Sequence, residues 1–264
     1  MQKRHQDRLQ YFNELAHTSK EFYIDYLCPF VGITSSTRIL EIGCGEGGNL
    51  LPFAQAGCQV TGMDISNSRI EQARRFFDSY MVNGAFLCCD FLKADVPQNE
   101  NERFDVIFVH DVIEHIEPPF KASFISHIQY FLKDNGYVFF GFPAWQMPFG
   151  GHQQICRGLV SKLPYVHLLP NPVYRLLIKM SGNSEERVQE MMSIKRAQMT
   201  IEGFERLAQG IGFNITKRTL WFINPHYKQK FNLKPRVLWT WATRLPYIRN
   251  FYTTSAFYLL TFRQ

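Results

Sequence analysis

Residues 38–48 read Arg-Ile-Leu-Glu-Ile-Gly-Cys-Gly-Glu-Gly-Gly. Ile39, Leu40 and Ile42 form a short apolar run suited to a buried strand. Gly43, Gly45 and Gly47 then make a loop with no Cβ atoms in the way. Backbone N–H groups of such a loop can approach a ligand closely, and a helix starting behind it favours negative charge there. The stretch therefore predicts a strand, a ligand-cradling turn and a helix, the opening unit of an open parallel sheet.

Two ligand classes suit that unit. Gly43, Gly45 and Gly48 satisfy G-x-G-x-x-G, and Asp64 lies about where a dinucleotide fold places its ribose-binding acid. Glu41, two residues before the first glycine, favours a different ligand, because its carboxylate would repel a pyrophosphate. The pattern acid-x-Gly-x-Gly-x-Gly resembles the first motif of class I S-adenosylmethionine (SAM)-dependent methyltransferases. SAM carries a cationic amino group near this point, which suits Glu41. The resemblance covers residues 37–142 well and 200–222 loosely.

Hydrophobic periodicity continues the alternation. Strands are expected at Ile39–Ile42, Cys58–Met63, Ala85–Cys89, Phe104–Val109, Tyr137–Phe142, Phe213–Phe222 and Ser255–Phe262. Helices are expected at Asn49–Ala56, after Ser66 or Asn67, through Phe120–Leu132, and over Ile201–Gln209. Alternating strands and helices mean an α/β fold, Rossmann-like, with a mostly parallel sheet and helices on both faces. Seven strands, the last antiparallel beside the fifth, is what the resemblance implies. The expected organisation is a helical cap over 1–36 and a SAM-binding core over 37–142. A lid or acceptor insertion follows over 143–200, then the end of the core over 201–264, interrupted by a basic-aromatic insertion at 223–254.

Ligands of open parallel sheets sit beyond the carboxyl ends of the strands. Asp64 ends strand two, and its two oxygens suit two ribose hydroxyls. Ile65 would lie against adenine, Asp90 would accept from its exocyclic amine, and Phe91 could flank the ring. Glu41 with Gly43, Gly45 and Gly47 would hold the methionine part, bordered by the His110 backbone. Strand four is followed by His110-Asp111-Val112-Ile113-Glu114-His115-Ile116. This looks like the Glu-His segment of small-molecule and quinone-biosynthesis methyltransferases. Glu114 and His115 are read as a pair bracing the loop in preference to direct catalysis. The Asn-Pro-Pro-Tyr type motif of base and amide nitrogen methylation is absent, which argues against DNA or protein glutamine as acceptor.

A hydroxyl acceptor needs a base. His152, following Gly150-Gly151 just after strand five, is the candidate, with an ordinary imidazole pKa near 6.5. The competing reading is that His152 and Gln153 only hydrogen-bond the lid in place; His167 is read as structural. No metal site is expected, since the six cysteines form no C-x-x-C pair. Scattered cysteines suggest reduced thiols in a cytosol. Neither a signal peptide nor a spanning helix is expected.

Charge is divided along the chain. Residues 1–134 hold 12 Lys/Arg against 18 Asp/Glu, whereas residues 135–264 hold 17 against 5, and no acid follows Glu205. A basic half usually meets something anionic. Residues 221–251 interleave these bases with Trp221, Phe231, Trp239, Trp241, Tyr247 and Phe251. The first reading is a lid holding an anionic or lipid-linked acceptor. Peripheral contact with a membrane comes second and RNA third, since no RNA-binding motif appears. The expected function is SAM-dependent methyl transfer to a small or lipid-linked acceptor, at oxygen. The alternatives are an RNA- or membrane-associated methyltransferase, a catalytically silent SAM-binding module and, on the glycine loop alone, a nicotinamide enzyme.

Overall fold

In the computed structural model, which describes residues 7–262, the first strands follow the expected alternation. Strands β1 (Arg38–Ile42), β2 (Gln59–Asp64), β3 (Ala85–Cys88), β4 (Phe104–His110) and β5 (Leu132–Phe142) are parallel neighbours in the order β3-β2-β1-β4-β5. The sheet continues through β6 (Phe213–Ile223), β7 (Arg236–Val237) and β8 (Ser255–Phe262), giving β5-β8-β6-β7. β8 runs antiparallel to both β5 and β6. Sequence reasoning missed only β7, a two-residue edge strand contributed by the second insertion. Two residues carry no readable period, so tertiary pairing alone makes this strand.

β4 shows why the sheet is central. Val106, Ile107, Phe108 and Val109 are all at most 1% exposed, as an uninterrupted apolar strand covered on both faces requires. Alternate residues serve opposite faces. Ile107 and Val109 join Leu40, Phe140 and Phe204 on one side. Val106 and Phe108 join Ile39, Phe53 and Phe139 on the other.

That second face is closed from the amino terminus. Helix α1 (Arg8–Thr18) starts at Asp7, whose side chain accepts from the Gln10 N–H at 2.9 Å. It runs through a π-helical turn, Ser19–Tyr23, into α2 (Ile24–Leu27). Phe12, Tyr23 and Leu27 are fully buried against the sheet. The helices after β1 and β2 are α3 (Leu51–Gln55), preceded by a 3₁₀ turn at Gly48–Leu50, and α4 (Asn67–Ser79). Helix α5 (Pro118–Ile128) precedes β5.

Residues 143–200 carry α6 (Asn171–Met180) and α7 (Glu185–Ala197) and build a small core of their own around Trp145, Tyr174 and Met191. Helix α8 (Ile201–Ile211) returns to the sheet, capped by Thr200 and ended by Gly212 at φ 109°. The second insertion holds α9 (His226–Phe231), α10 (Thr240–Thr243) and α11 (Arg249–Tyr252). Arg249 ties it down: its Nε donates to Glu202 Oε1 at 2.8 Å and its Nη2 to Glu205 Oε2 at 3.0 Å. The second insertion is thereby fixed to α8, and residues of both insertions wall the cavities described next.

Candidate functional site

The chain runs outward from β1 to β2 and β3, then returns and runs the other way through β4 and β5. This reversal opens a crevice beyond the carboxyl ends of β1 and β4. The glycine loop sits there. Gly43, Gly45 and Gly47 have φ of 73°, 54° and 82°, a region that side chains with a Cβ adopt at a cost. At Gly43 a Cβ would also lie 2.5 Å from the Val112 side chain. Gly47 faces the Phe86 ring and not the crevice, so it shapes the turn and does not line the site.

A cavity of about 390 Å³ opens over this loop. Its floor is Glu41, Gly43, Gly45, Asn49 and His110; Tyr11 of α1 and Arg187 of α7 close it from above. Glu41 is 1% exposed. Asn49 donates to its Oε1 at 2.7 Å, while Oε2 has no partner. Burial, only partly offset by that hydrogen bond, pushes the Glu41 pKa up to about 8. His110 is held by Tyr23, Oη to Nε2 at 2.8 Å, so the amino-terminal cap reaches the same floor.

The other expected residues divide. Asp64 is buried at the end of β2 and accepts from Gly45 N at 2.9 Å and Ser66 N at 2.8 Å. It therefore pins the glycine loop. Each of its oxygens keeps a lone pair for a further donor. Ile65 is 78% exposed beside it. Asp90 caps the short turn Phe91–Lys93, accepting from Leu92 N at 3.1 Å. Phe91 does not flank the crevice: that turn drives its ring into the core against Phe124 and Phe131.

A second cavity of about 300 Å³ adjoins the first, and Tyr11, Asp111 and Ile155 line both. His115, His152, Phe149, His226, Tyr227 and Lys230 form its walls. His152 occupies a left-handed turn at φ 54°, with its ring 4.9 Å from that of His115. Burial, reinforced by His115, lowers the His152 pKa to about 3, well below the ordinary value its sequence suggested. The imidazole is thus neutral at pH 7, and its Nε2 has no hydrogen-bond partner. Gln153 does hold the lid, donating to the carbonyls of Pro148 at 3.0 Å and Leu163 at 3.2 Å. His167 is structural, buried with Nε2 on the Trp145 carbonyl at 2.8 Å.

Glu114 lies 3.9 Å from His115 Nε2 through its Oε1. It is 4% exposed, both carboxylate oxygens lack hydrogen-bond partners, and burial holds its pKa well above the usual range. Ligand atoms of Glu114, His115 and His152 lie within 4.8 Å of one another. Two imidazoles and a carboxylate are a donor set that a divalent cation can bridge, a grouping that the cysteine-based reasoning did not foresee.

Asp111 was also missed. It is the junction of the two cavities and stands at φ 53°, strained for a non-glycine residue. An acid directly after a strand end was the signal that found Asp64 and Asp90, and Asp111 follows β4 in the same way.

Comparison with known proteins meets this geometry at the crevice. A methyltransferase domain family model matches residues 39–136, which span β1 to the start of β5. The match takes in the glycine loop and the strand ends that carry Asp64 and Asp90. The ubiquinone biosynthesis O-methyltransferase of Alkalilimnicola ehrlichii is 27% identical over 124 residues, covering 47% of this chain and 49% of that protein. Its Actinobacillus pleuropneumoniae counterpart is 30% identical over 131 residues, covering 47% and 53%. The chain thus spans about half the length of these curated relatives. Among solved structures, a magnesium protoporphyrin IX methyltransferase from Synechocystis with bound S-adenosylhomocysteine superposes with TM-score 0.57 at 16% identity, over 97% of this chain and 87% of that one. A SAM-dependent methyltransferase from Clostridium acetobutylicum gives 0.59 at 11% identity, over 94% and 92%. These two share the fold.

Asp64→Ala is expected to weaken SAM binding about tenfold or more, a hydrogen bond to a charged group being worth roughly 1.5–3 kcal/mol. Isothermal titration checks this, and an unchanged affinity removes Asp64 from the site.

Proposed function

We propose that this chain is a SAM-dependent methyltransferase that methylates a hydroxyl of a small or lipid-linked, anionic acceptor in the cytosol. One observation carries the reading: two cavities adjoin at Asp111, one with a glycine cradle and an orphan carboxylate, the other with an unpartnered imidazole. The first fits SAM. Glu41 Oε2 is a buried acceptor that needs a donor, and the SAM ammonium is one. Asp64, in contact with the loop, would take ribose hydroxyls, and Asp90 and exposed Ile65 would meet the adenine.

SAM supplies an activated methyl group. The chain's part is alignment, water exclusion and proton removal. Tyr11 and Ile155, shared by both cavities, close the junction where the transferred group would pass. His152 Nε2 receives the acceptor's hydroxyl proton. Lys230 and His226 face the same cavity and suit a negatively charged acceptor. The names of the curated relatives, O-methyltransferases of ubiquinone biosynthesis, support oxygen as the methylated atom.

The test has two stages. SAM and S-adenosylhomocysteine at a hundredfold over Kd stabilise by about 2.7 kcal/mol, which for a domain of this size raises Tm by roughly 5–10 °C. NAD should leave Tm unchanged; a shift with NAD and none with SAM overturns the reading. Methyl-labelled SAM is then offered with phenols and catechols bearing or lacking a carboxylate. Label is expected on the hydroxyl of the carboxylated members. Incorporation at nitrogen or carbon, or in RNA, overturns the acceptor class.

A further inference from the structure

The segment that walls the acceptor cavity turns its other side to solvent, and that side is apolar and cationic. Asn224, His226, Tyr227, Lys230 and Thr254 face the cavity. Between them in the chain, Trp239, Trp241, Tyr247, Ile248, Phe251 and Tyr252 are 39–66% exposed. These are not scattered surface residues, which would need no explanation. The Trp239 and Trp241 rings stack at 6.2 Å. Phe251 meets Tyr165 of the first insertion at 6.4 Å, so the two insertions share one exposed face. Helix α6 adds Val173, Leu176 and Met180, spaced on one side and 44–75% exposed.

The backbone holds some of these rings outward at a cost. Tyr165 and Tyr247 have φ of 64° and 63°, positions that bulky residues occupy with strain. Hydrogen bonds fix the backbone at both turns, Tyr165 N to the Pro148 carbonyl at 2.7 Å and Tyr247 N to Glu202 Oε1 at 2.9 Å, so both rings are presented on rigid turns.

Charge identifies the occupant. Lys234, Arg236 and Arg244 lie among the aromatics, exposed, and make no ion pair among the described residues. The segment itself offers no acid to neutralise them, since the chain has none after Glu205. By contrast, Lys228 is committed to Glu21 at 2.8 Å and Arg249 to Glu202 and Glu205, so those two are structural. Tryptophan, tyrosine and unpaired Lys/Arg on one face match a headgroup region, where rings settle at the boundary and cations meet anionic lipid. No helix among the described residues is long and apolar enough to cross a membrane, so contact would be from one side.

The geometry points to a peripheral docking face for an anionic lipid surface, formed by residues 231–252 with the edge of the first insertion. It would present the acceptor cavity to the bilayer, so that a lipid-linked acceptor enters without crossing water. This deepens the proposed function, and its test is independent of methyl transfer.

Sedimentation with vesicles, in the absence of SAM, reads the docking alone. The full chain is expected to pellet with phosphatidylcholine–phosphatidylglycerol vesicles, far less with phosphatidylcholine alone, and less as salt rises. Lys234→Gln with Arg236→Gln and Arg244→Gln should lower the partition coefficient about a hundredfold, at about fivefold per cation. Trp239→Ser with Trp241→Ser should remove the binding that survives high salt. S-adenosylhomocysteine must still raise Tm in each variant, which shows that it is folded. Wild-type chain that stays in the supernatant overturns the proposal, as does a triple variant that pellets like wild type. A concentration-dependent dimer that the tryptophan changes dissolve, without vesicle binding, assigns the face to a second copy instead. Failure of the SAM thermal shift beside intact vesicle binding would sink the enzyme reading and leave this one standing.

Discussion

His152→Ala is expected to slow single-turnover methyl transfer by about 10²–10⁴-fold while moving the SAM dissociation constant less than about twofold. His152 lines the second cavity and not the one over the glycine loop, so its loss should spare cofactor binding. Its lowered pKa, about 3, adds a signature. A histidine with an ordinary pKa would lose its base function as pH falls through about 6.5. This one stays neutral, so no acid limb from His152 should appear between pH 7 and 5. The low pKa also makes it a weak base in water. Its usefulness then rests on placement, with a partnerless Nε2 in the wall of the second cavity. Glu114 and His115 lie close enough to share a cation with it. Dialysis against EDTA separates the two uses: a free base is indifferent, whereas a cation site loses activity and regains it with Mg²⁺ or Zn²⁺. A rate unaffected by His152→Ala would leave the residue as a lid element only.

The parts that were legible in the sequence were those set by local pattern. Strand and helix periods found every long strand and the helices of the sheet, because each buries one stripe or two faces against the same core. They did not find α6 and α7, which pack on the small separate core of the first insertion. Acids at strand ends drew attention to Asp64, which pins the glycine loop, and to Asp90, which caps the turn after β3. What failed depended on direction. Phe91 follows an acid at a strand end, yet a three-residue turn capped by Asp90 points it into the core. Gly47 belongs to the motif but faces Phe86. Adjacency in sequence does not say which way a side chain leaves a turn.

Burial was the second thing the sequence withheld. His152 lines the second cavity after the Gly150-Gly151 turn, but burial takes its pKa to about 3, where the sequence alone gives the ordinary imidazole value. Lys228 and Lys230 stand two apart in one basic segment, yet one is committed to Glu21 and the other faces the acceptor cavity. Removing Lys228 therefore risks detaching α9 from the amino-terminal helices, and it is a poor probe of acceptor charge. Tertiary partners decide these cases, and Glu21 lies more than two hundred residues from Lys228 in the chain.

The pH dependence of SAM affinity should be bell-shaped with its maximum near pH 8, and Glu41 is the cause. The free protein holds Glu41 protonated below about 8, since burial opposes the carboxylate. The bound state requires carboxylate against ammonium. Below pH 8 a proton must therefore be released on binding, and affinity should rise up to tenfold for each unit of pH as that value is approached. Above pH 8 the opposite holds. An α-amino group has a reference pKa of roughly 7.7–8.0, so the ligand arrives neutral and a proton must be taken up. Glu41→Gln keeps the shape and an acceptor oxygen but removes the titration. Its acid limb should flatten, and its affinity at pH 8 should fall about tenfold or more through loss of the charged partner. Asn49 keeps a side-chain partner at position 41, so the loop should hold its conformation. Titration calorimetry in buffers of different ionisation heat counts the protons directly. Proton release below pH 8 in wild type and none in the variant is the expected result. Equal release in both would move the ammonium site away from Glu41, and with it the reason that this glycine loop prefers SAM to a pyrophosphate.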